Sequence, residues 1–156
     1  MLNDWITYKL TNIISVEPSN GCTTGLFNIK NRTWDSTLAN RVDLKDDIYP
    51  IVHESGTVIG NVTNEIAGLT GLSTKTKVVA GGGDAQLGCI GLGVIHEGDA
   101  AVLGGSFWQY EYTTTSIKPD ESARVRVNCH AIPNTWQYEA IAFYPGLVMR
   151  WFRDSF

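Results

Sequence analysis

The run Val78-Val79-Ala80-Gly81-Gly82-Gly83-Asp84 sets the tightest limit on how this chain folds. Two β-branched residues, which favour a strand, lead into three consecutive glycines. Glycine loses more backbone entropy on folding than any other residue, so three in a row need a reason. A helix-like segment, residues 84–92, follows at once. A strand that stops on bare backbone and re-emerges as a helix is a βα turn of an α/β protein, and such turns place ligands in the crevice at the strand's carboxyl end.

Asp84 is the single acid at that turn, and it has two readings. In one it is a helix N-cap after a Gly-rich loop. In the other it projects into the crevice, where the helix N-terminus favours negative charge and the carboxylate can take a proton from an alcohol. The glycines, Gly83 included, would then let a ligand approach the backbone. A second stretch, Val102-Leu-Gly-Gly-Ser-Phe-Trp-Gln109, places two glycines and a serine at a strand's end. It reads either as a plain hairpin turn or as a set of backbone N–H groups that cradles an anion.

Other function classes drop out. The 156 residues carry 12 basic and 16 acidic side chains, a net charge of −4 with no basic run. That disfavours nucleic acid or an anionic membrane as the main partner. No stretch approaches the roughly 20 apolar residues of a membrane span, and Asp4 and Lys9 interrupt any secretory apolar region. Cys22, Cys89 and Cys129 lack metal-ligand spacing and read as small thiols of a reducing cytoplasm. His53, His96 and His130 show no ligand spacing. Gly81, Gly83 and Gln86 break the dinucleotide fingerprint at its third glycine, and neither a P-loop nor a nucleophile elbow is present.

The periodicities predict a helix over residues 4–10 and a short one after Pro18 capped by Ser19 or Asn20. An amphipathic helix follows over 33–44, with Leu38 and Val42 spaced four apart and Asp35 and Ser36 in the first turn. A strand is expected at 58–62, then a helix opened by Thr63 and ended near Gly71, with Ile66 and Leu69 inward. A strand at 77–80, the helix after Asp84, strands either side of Gly104-Gly105, and a strand in TWQYEAIAFY complete the expectation.

The blocks NDWITYKLTN, EPSNGCTTGLFNIKNRTWD, ESGTVIGNVTNEIAGLTGL, KVVAGGGDAQLGCIGLGVIHEGDAAVLGGS and GLVMRWFRDSF, in that order, resemble the FGGY carbohydrate kinases. The resemblance covers almost the whole chain. It implies an α/β, actin-like (ribonuclease-H-like) ATPase fold, with residues 1–95 from the end of the first (substrate) domain and 96–156 from the start of the second (nucleotide) domain. It implies ATP and Mg²⁺ as cofactors, a small polyhydroxylated molecule as substrate, and a homodimer for a complete enzyme. LGGSFWQ and LVMRWFRDSF point within the family to a kinase for the linear dihydroxy-pentanedione signal, with a ketose such as xylulose as the alternative acceptor.

By the same resemblance the catalytic base falls on Asp84, and Gly83, Asp84 and Trp108 fall at the substrate. The phosphate loop falls on Gly104, Gly105 and Ser106. Trp108 has an equal reading as plain core. Two positions depart from the family pattern. The usual loop threonine is Gly105, which leaves Ser106 to supply a hydroxyl, and the residue after the base, often Gln or Asn, is Ala85. No metal-binding acid is assigned, because the family's first phosphate loop has no counterpart here, nor has its adenine-binding segment. A fragment, inactive alone, is therefore expected; a non-catalytic remnant or interaction module is the competing reading.

Overall fold

The computed structural model describes the backbone of all 156 residues and every side chain except that of Asp46. Its contacts divide the chain into two compact units, Met1–Gly83 and Asp84–Phe156.

In the first unit, α1 (Leu2–Thr11) ends where Asn12 turns left-handed (φ 61°) and donates its N–H to the Tyr8 carbonyl. β1 (Ser15–Val16) pairs in parallel with β4 (Ile51–Val52). Between them lie α2 (Pro18–Gly21), the hairpin of β2 (Phe27–Asn28) and β3 (Thr33–Trp34), and α3 (Ser36–Asn40). β5 (Val58–Asn61) runs antiparallel to β6 (Lys77–Val79), with α4 (Asn64–Thr70) joining them.

The local chemistry explains most of these boundaries. Thr63 caps α4 by accepting from the Ile66 N–H, and Gly71 closes it at φ 76°. Trp34 stacks on Tyr49 and meets Phe27 edge-on, with centroids 4.9 and 5.3 Å away. The Arg32 guanidinium, itself buried, holds Glu54 in a bidentate pair at 2.7 and 2.6 Å.

Three sequence expectations fail in this unit. The helix expected over 33–44 occupies only Ser36–Asn40. Residues 33–34 belong to a strand, Asp35 is the cap, and Asp43 adopts a positive φ of 54°, a left-handed conformation a helix does not continue through. Leu69 is 76 % exposed rather than inward. The cap of α2 is Glu17, not Ser19 or Asn20; its carboxylate accepts both of those N–H groups.

The second unit is built on one antiparallel sheet in the order β7-β8-β10-β9. Its strands are β7 (Ala100–Gly104), β8 (Trp108–Thr114), β9 (Arg126–Cys129) and β10 (Trp136–Ala142). α5 (Asp84–Gly91) packs against β7, so that a Cβ on Gly88 would stand 4.0 Å from Leu103 Cδ1, and α6 (Pro145–Ser155) follows β10. Strand alternation puts Gln109, Glu111 and Thr113 on one face of β8, opposite Ile141, Glu139 and Gln137 of β10. This face, not the aromatic one, is buried. Glu111 is 0 % exposed and Tyr110 48 %. His130 is buried and accepts the Ala131 N–H at Nδ1, so its Nε2 donates to the Val94 carbonyl at 3.2 Å.

Candidate functional site

The N-terminus of α5 and the β7–β8 turn border an open hollow of about 360 Å³. Asp84, Gly104, Gly105 and Ser106 all line it, together with Ala85, Gly88, Leu103, Phe107 and Gln109. These residues all belong to the second unit. The chain thus brings together a carboxylate at a helix start and a glycine-rich strand turn.

Asp84 is exposed and is the first residue of α5. Its Oδ1 accepts the N–H of Ala85 at 2.9 Å. An N-cap instead accepts from two or three residues further on, so this bond is not a capping bond. Around the turn, Gly105 donates its N–H to the Phe107 carbonyl at 2.9 Å. A Cβ on Gly104 would stand 3.3 Å from Trp108 Nε1, so the indole folds back over the bare backbone. Trp108 is 39 % exposed and is not among the residues lining the hollow.

Gly146, near the start of α6, lies against the same turn. A Cβ there would overlap the Gly105 carbonyl oxygen and stand 2.9 Å from its carbon. Only glycine fits, so this position fixes the turn from behind. In sequence it is an unremarkable glycine, and the close approach that requires it is a tertiary fact.

Gly83 ends the first unit. Its N–H donates to Ser19 Oγ at 2.8 Å, and Ser19 Oγ donates to Glu17 Oε1 at 2.6 Å. The buried Glu17 carboxylate also accepts the N–H groups of Ser19 and Asn20 and the Ser55 hydroxyl. The end of the glycine run is therefore tied to a buried acid 66 positions earlier in the chain, a link no local pattern announces. None of Gly81, Gly82 and Gly83 has a positive φ, so left-handed backbone is not what selects them.

Under the hollow, Gln109 donates from Nε2 to Glu139 Oε2 at 3.2 Å. Glu139 is buried and paired with Arg126 Nη2. Glu111, fully buried across the ladder from Glu139, has its carboxyl pushed up to about 8, first by burial and then by the Glu139 charge. Burial likewise pushes up the thiol of Cys89 on α5, beside Gln137. Among the described residues no three His, Cys, Asp or Glu side chains are grouped to hold a metal ion, and no helix is long and apolar enough to cross a membrane.

Residues 1–91 match the N-terminal domain of the FGGY family of carbohydrate kinases. The chain belongs to that family. It is 47 % identical over all 156 residues to the autoinducer-2 kinase of Escherichia coli (strain K12), and it spans 29 % of that protein's length. Among solved structures, a xylulose kinase from Lactobacillus acidophilus superposes with a TM-score of 0.89 at 24 % identity, covering 97 % of this chain and 31 % of its own. A xyloylose kinase from Brucella ovis gives 0.89 at 22 % identity, covering 99 % and 32 %. The α/β fold of this FGGY chain is that of the actin-like sugar kinases.

Proposed function

We propose that this FGGY chain carries the acceptor-activating part of an ATP-dependent carbohydrate kinase, with Asp84 as general base. The observation that carries the reading is that Asp84 and the Gly104-Gly105-Ser106 turn line one hollow. In this reading residues 1–95 belong to the substrate domain and 96–156 to the nucleotide domain.

The chain's own groups have distinct tasks. The acceptor hydroxyl gives its proton to Asp84 as its oxygen bonds to the γ-phosphorus of ATP and the bond from that phosphorus to the bridging oxygen breaks, leaving ADP. Such a transfer needs positioning and charge neutralisation more than covalent chemistry. The Gly104-Gly105-Ser106 turn and the Ser106 hydroxyl face the phosphate, the bare turn leaving room for its oxygens, while the Gly105 N–H stays with the Phe107 carbonyl. Trp108 braces Gly104, which makes it a support of the phosphate turn as well as a candidate substrate contact. Mg²⁺ neutralises phosphate charge when bound; these residues form no cluster of metal ligands, so it would be held mainly through the phosphates.

The acceptor we favour is dihydroxy-pentanedione, on the strength of the 47 % identity to an autoinducer-2 kinase; a ketose such as xylulose is the alternative. The complete enzyme is taken as a cytoplasmic homodimer. The test is an ATP-dependent phosphorylation assay on the chain alone and on a complete kinase in which these 156 residues replace the matching segment of the Escherichia coli enzyme. We expect turnover only from the complete kinase. Turnover by the purified chain alone would overturn the division of labour, and a dead complete enzyme that folds would favour a non-catalytic module.

A further inference from the structure

The Glu139 carboxylate beneath the hollow is buried, whereas its Arg126 partner is 62 % exposed. Glu139 Oε1 takes the Arg126 guanidinium and its Oε2 takes the Gln109 amide. Glu139 is therefore the ionised member of the facing carboxyls, and an ionised carboxylate only accepts. The proton-retaining partner is Glu111, whose burial and facing charge keep it neutral at neutral pH.

This settles which way the Gln109 amide points. Its NH₂ must face Glu139, because the carbonyl end would set oxygen against carboxylate. The oxygen is then left free of Glu139. Gln109 lines the hollow that Asp84 also lines. With that oxygen facing the hollow, a ligand there meets two acceptors, the Asp84 carboxylate and the Gln109 carboxamide oxygen. A ligand that satisfies both presents two hydroxyl donors. A ligand with one hydroxyl leaves the second acceptor unpaired, which is how a site rejects an analogue that lacks a group it was built to bind.

We propose that Gln109 is a specificity-determining residue whose carboxamide oxygen, oriented by Glu139, accepts a hydrogen bond from a second hydroxyl of the acceptor, adjacent to the one that Asp84 deprotonates. The proposal rests on reading the hollow as the acceptor site.

The test is a binding titration on the full 156-residue chain, followed by amide NMR and calorimetry. The probes are dihydroxy-pentanedione and its analogue lacking the hydroxyl next to the primary alcohol. The variants are Gln109→Met, which keeps volume and removes both polar groups, and Glu139→Gln, which replaces the acceptor-only carboxylate by an amide that can meet Gln109 with either end. A thermal melt of each variant checks folding.

The wild-type chain is expected to bind the diol roughly tenfold more tightly than the analogue, about the worth of one hydrogen bond. Gln109→Met should erase that preference while leaving affinity for the analogue unchanged, and Glu139→Gln should shrink it. A purely structural role would weaken both ligands alike. A diol preference that survives in folded Gln109→Met overturns the role of Gln109 and leaves the kinase reading standing. Absence of any diol binding by the folded wild-type chain, with Asp84→Asn equally silent, overturns the acceptor-site reading and this proposal with it. If Gln109→Met fails to fold, the Glu139→Gln preference decides, and an undiminished preference there overturns the proposal.

Discussion

Glu111 of β8 and Glu139 of β10 stand directly opposite each other across the ladder, both buried; Glu139 is paired with Arg126, whereas neither oxygen of Glu111 makes a hydrogen bond. Two carboxyls in one desolvated place cannot both ionise cheaply, and the unpaired one keeps its proton to about pH 8.

That asymmetry predicts a pH slope. Below its ordinary value of 4.5, Glu111 is protonated in both folded and unfolded chains. Between about 4.5 and about 8 only the unfolded chain loses the proton, so the stability of the Asp84–Phe156 unit falls as pH rises and levels off above about 8. The carboxyls of Glu97, Asp99 and Asp120 are all lowered by hydrogen bonds, chiefly from Thr115, from the His96 N–H and from Arg124 respectively. Their contribution is lost on acidification below that window and does not mask the slope. Urea melts from pH 5 to pH 8 should show a loss of at least ~1.4 kcal/mol, the worth of one pKa unit. Glu111→Gln should flatten it, and an equal slope in that variant would assign the titration elsewhere.

A second prediction concerns Glu17. Its carboxylate accepts from the Ser19 and Asn20 N–H groups and from the Ser19 and Ser55 hydroxyls. Glu17→Gln keeps the shape but turns an NH₂ toward donors, leaving a buried donor unsatisfied at about 1–3 kcal/mol. Because Ser19 Oγ accepts from Gly83, the Gly83 amide should also exchange faster with solvent. Hydrogen exchange that changes everywhere but at Gly83 would separate the glycine run from this network.

The sequence pointed to Asp84 and the Gly104-Gly105 turn of the candidate hollow but not to the buried polar side chains beneath it. Thr63 and Gly71 bracket α4 by capping chemistry that acts within one turn, and Gly104-Gly105 separates two strands as their composition requires. In Gln109-Tyr-Glu-Tyr-Thr113 the residues predict a strand but assign it no inward face; in the structure Glu111 is buried and Tyr110 exposed. Period two fixes which residues share a face, but not which face is covered; that depends on where α5 packs. The shortened α3 is a similar case, since Leu38 and Val42 keep helical spacing while Asp43 takes a left-handed backbone that spacing cannot foresee. The grip of Glu17 on Gly83 joins distant positions and leaves no local trace.

Gly146→Ala tests how the β7–β8 turn is held. The added methyl would collide with the Gly105 carbonyl, which is backbone and cannot rotate away. Overpacking of this kind costs about 1–3 kcal/mol. We expect a lower melting temperature for the second unit and shifted amide resonances at Gly104–Ser106. Gly88→Ala, where a Cβ meets only the end of the Leu103 side chain at 4.0 Å, serves as the tolerant control. Equal behaviour of the two variants would mean that the turn is not fixed by Gly146.

The last prediction separates the two readings of Asp84. As general base in a complete kinase, Asp84→Asn should lower kcat by about 10²–10⁴-fold, the usual worth of a positioned base. The KM for ATP should change little, because Asp84 is assigned to the acceptor hydroxyl. Stability should barely move, since the bond Asp84 makes is to the adjacent Ala85 N–H and an amide oxygen can accept it equally. As a helix cap, Asp84 would show the reverse pattern: turnover near normal and a stability loss of at most ~1 kcal/mol. Steady-state kinetics and a thermal melt on one preparation distinguish the two. A kcat within a few-fold of the parent enzyme would remove Asp84 from the chemistry and leave the glycine run as a packing feature alone.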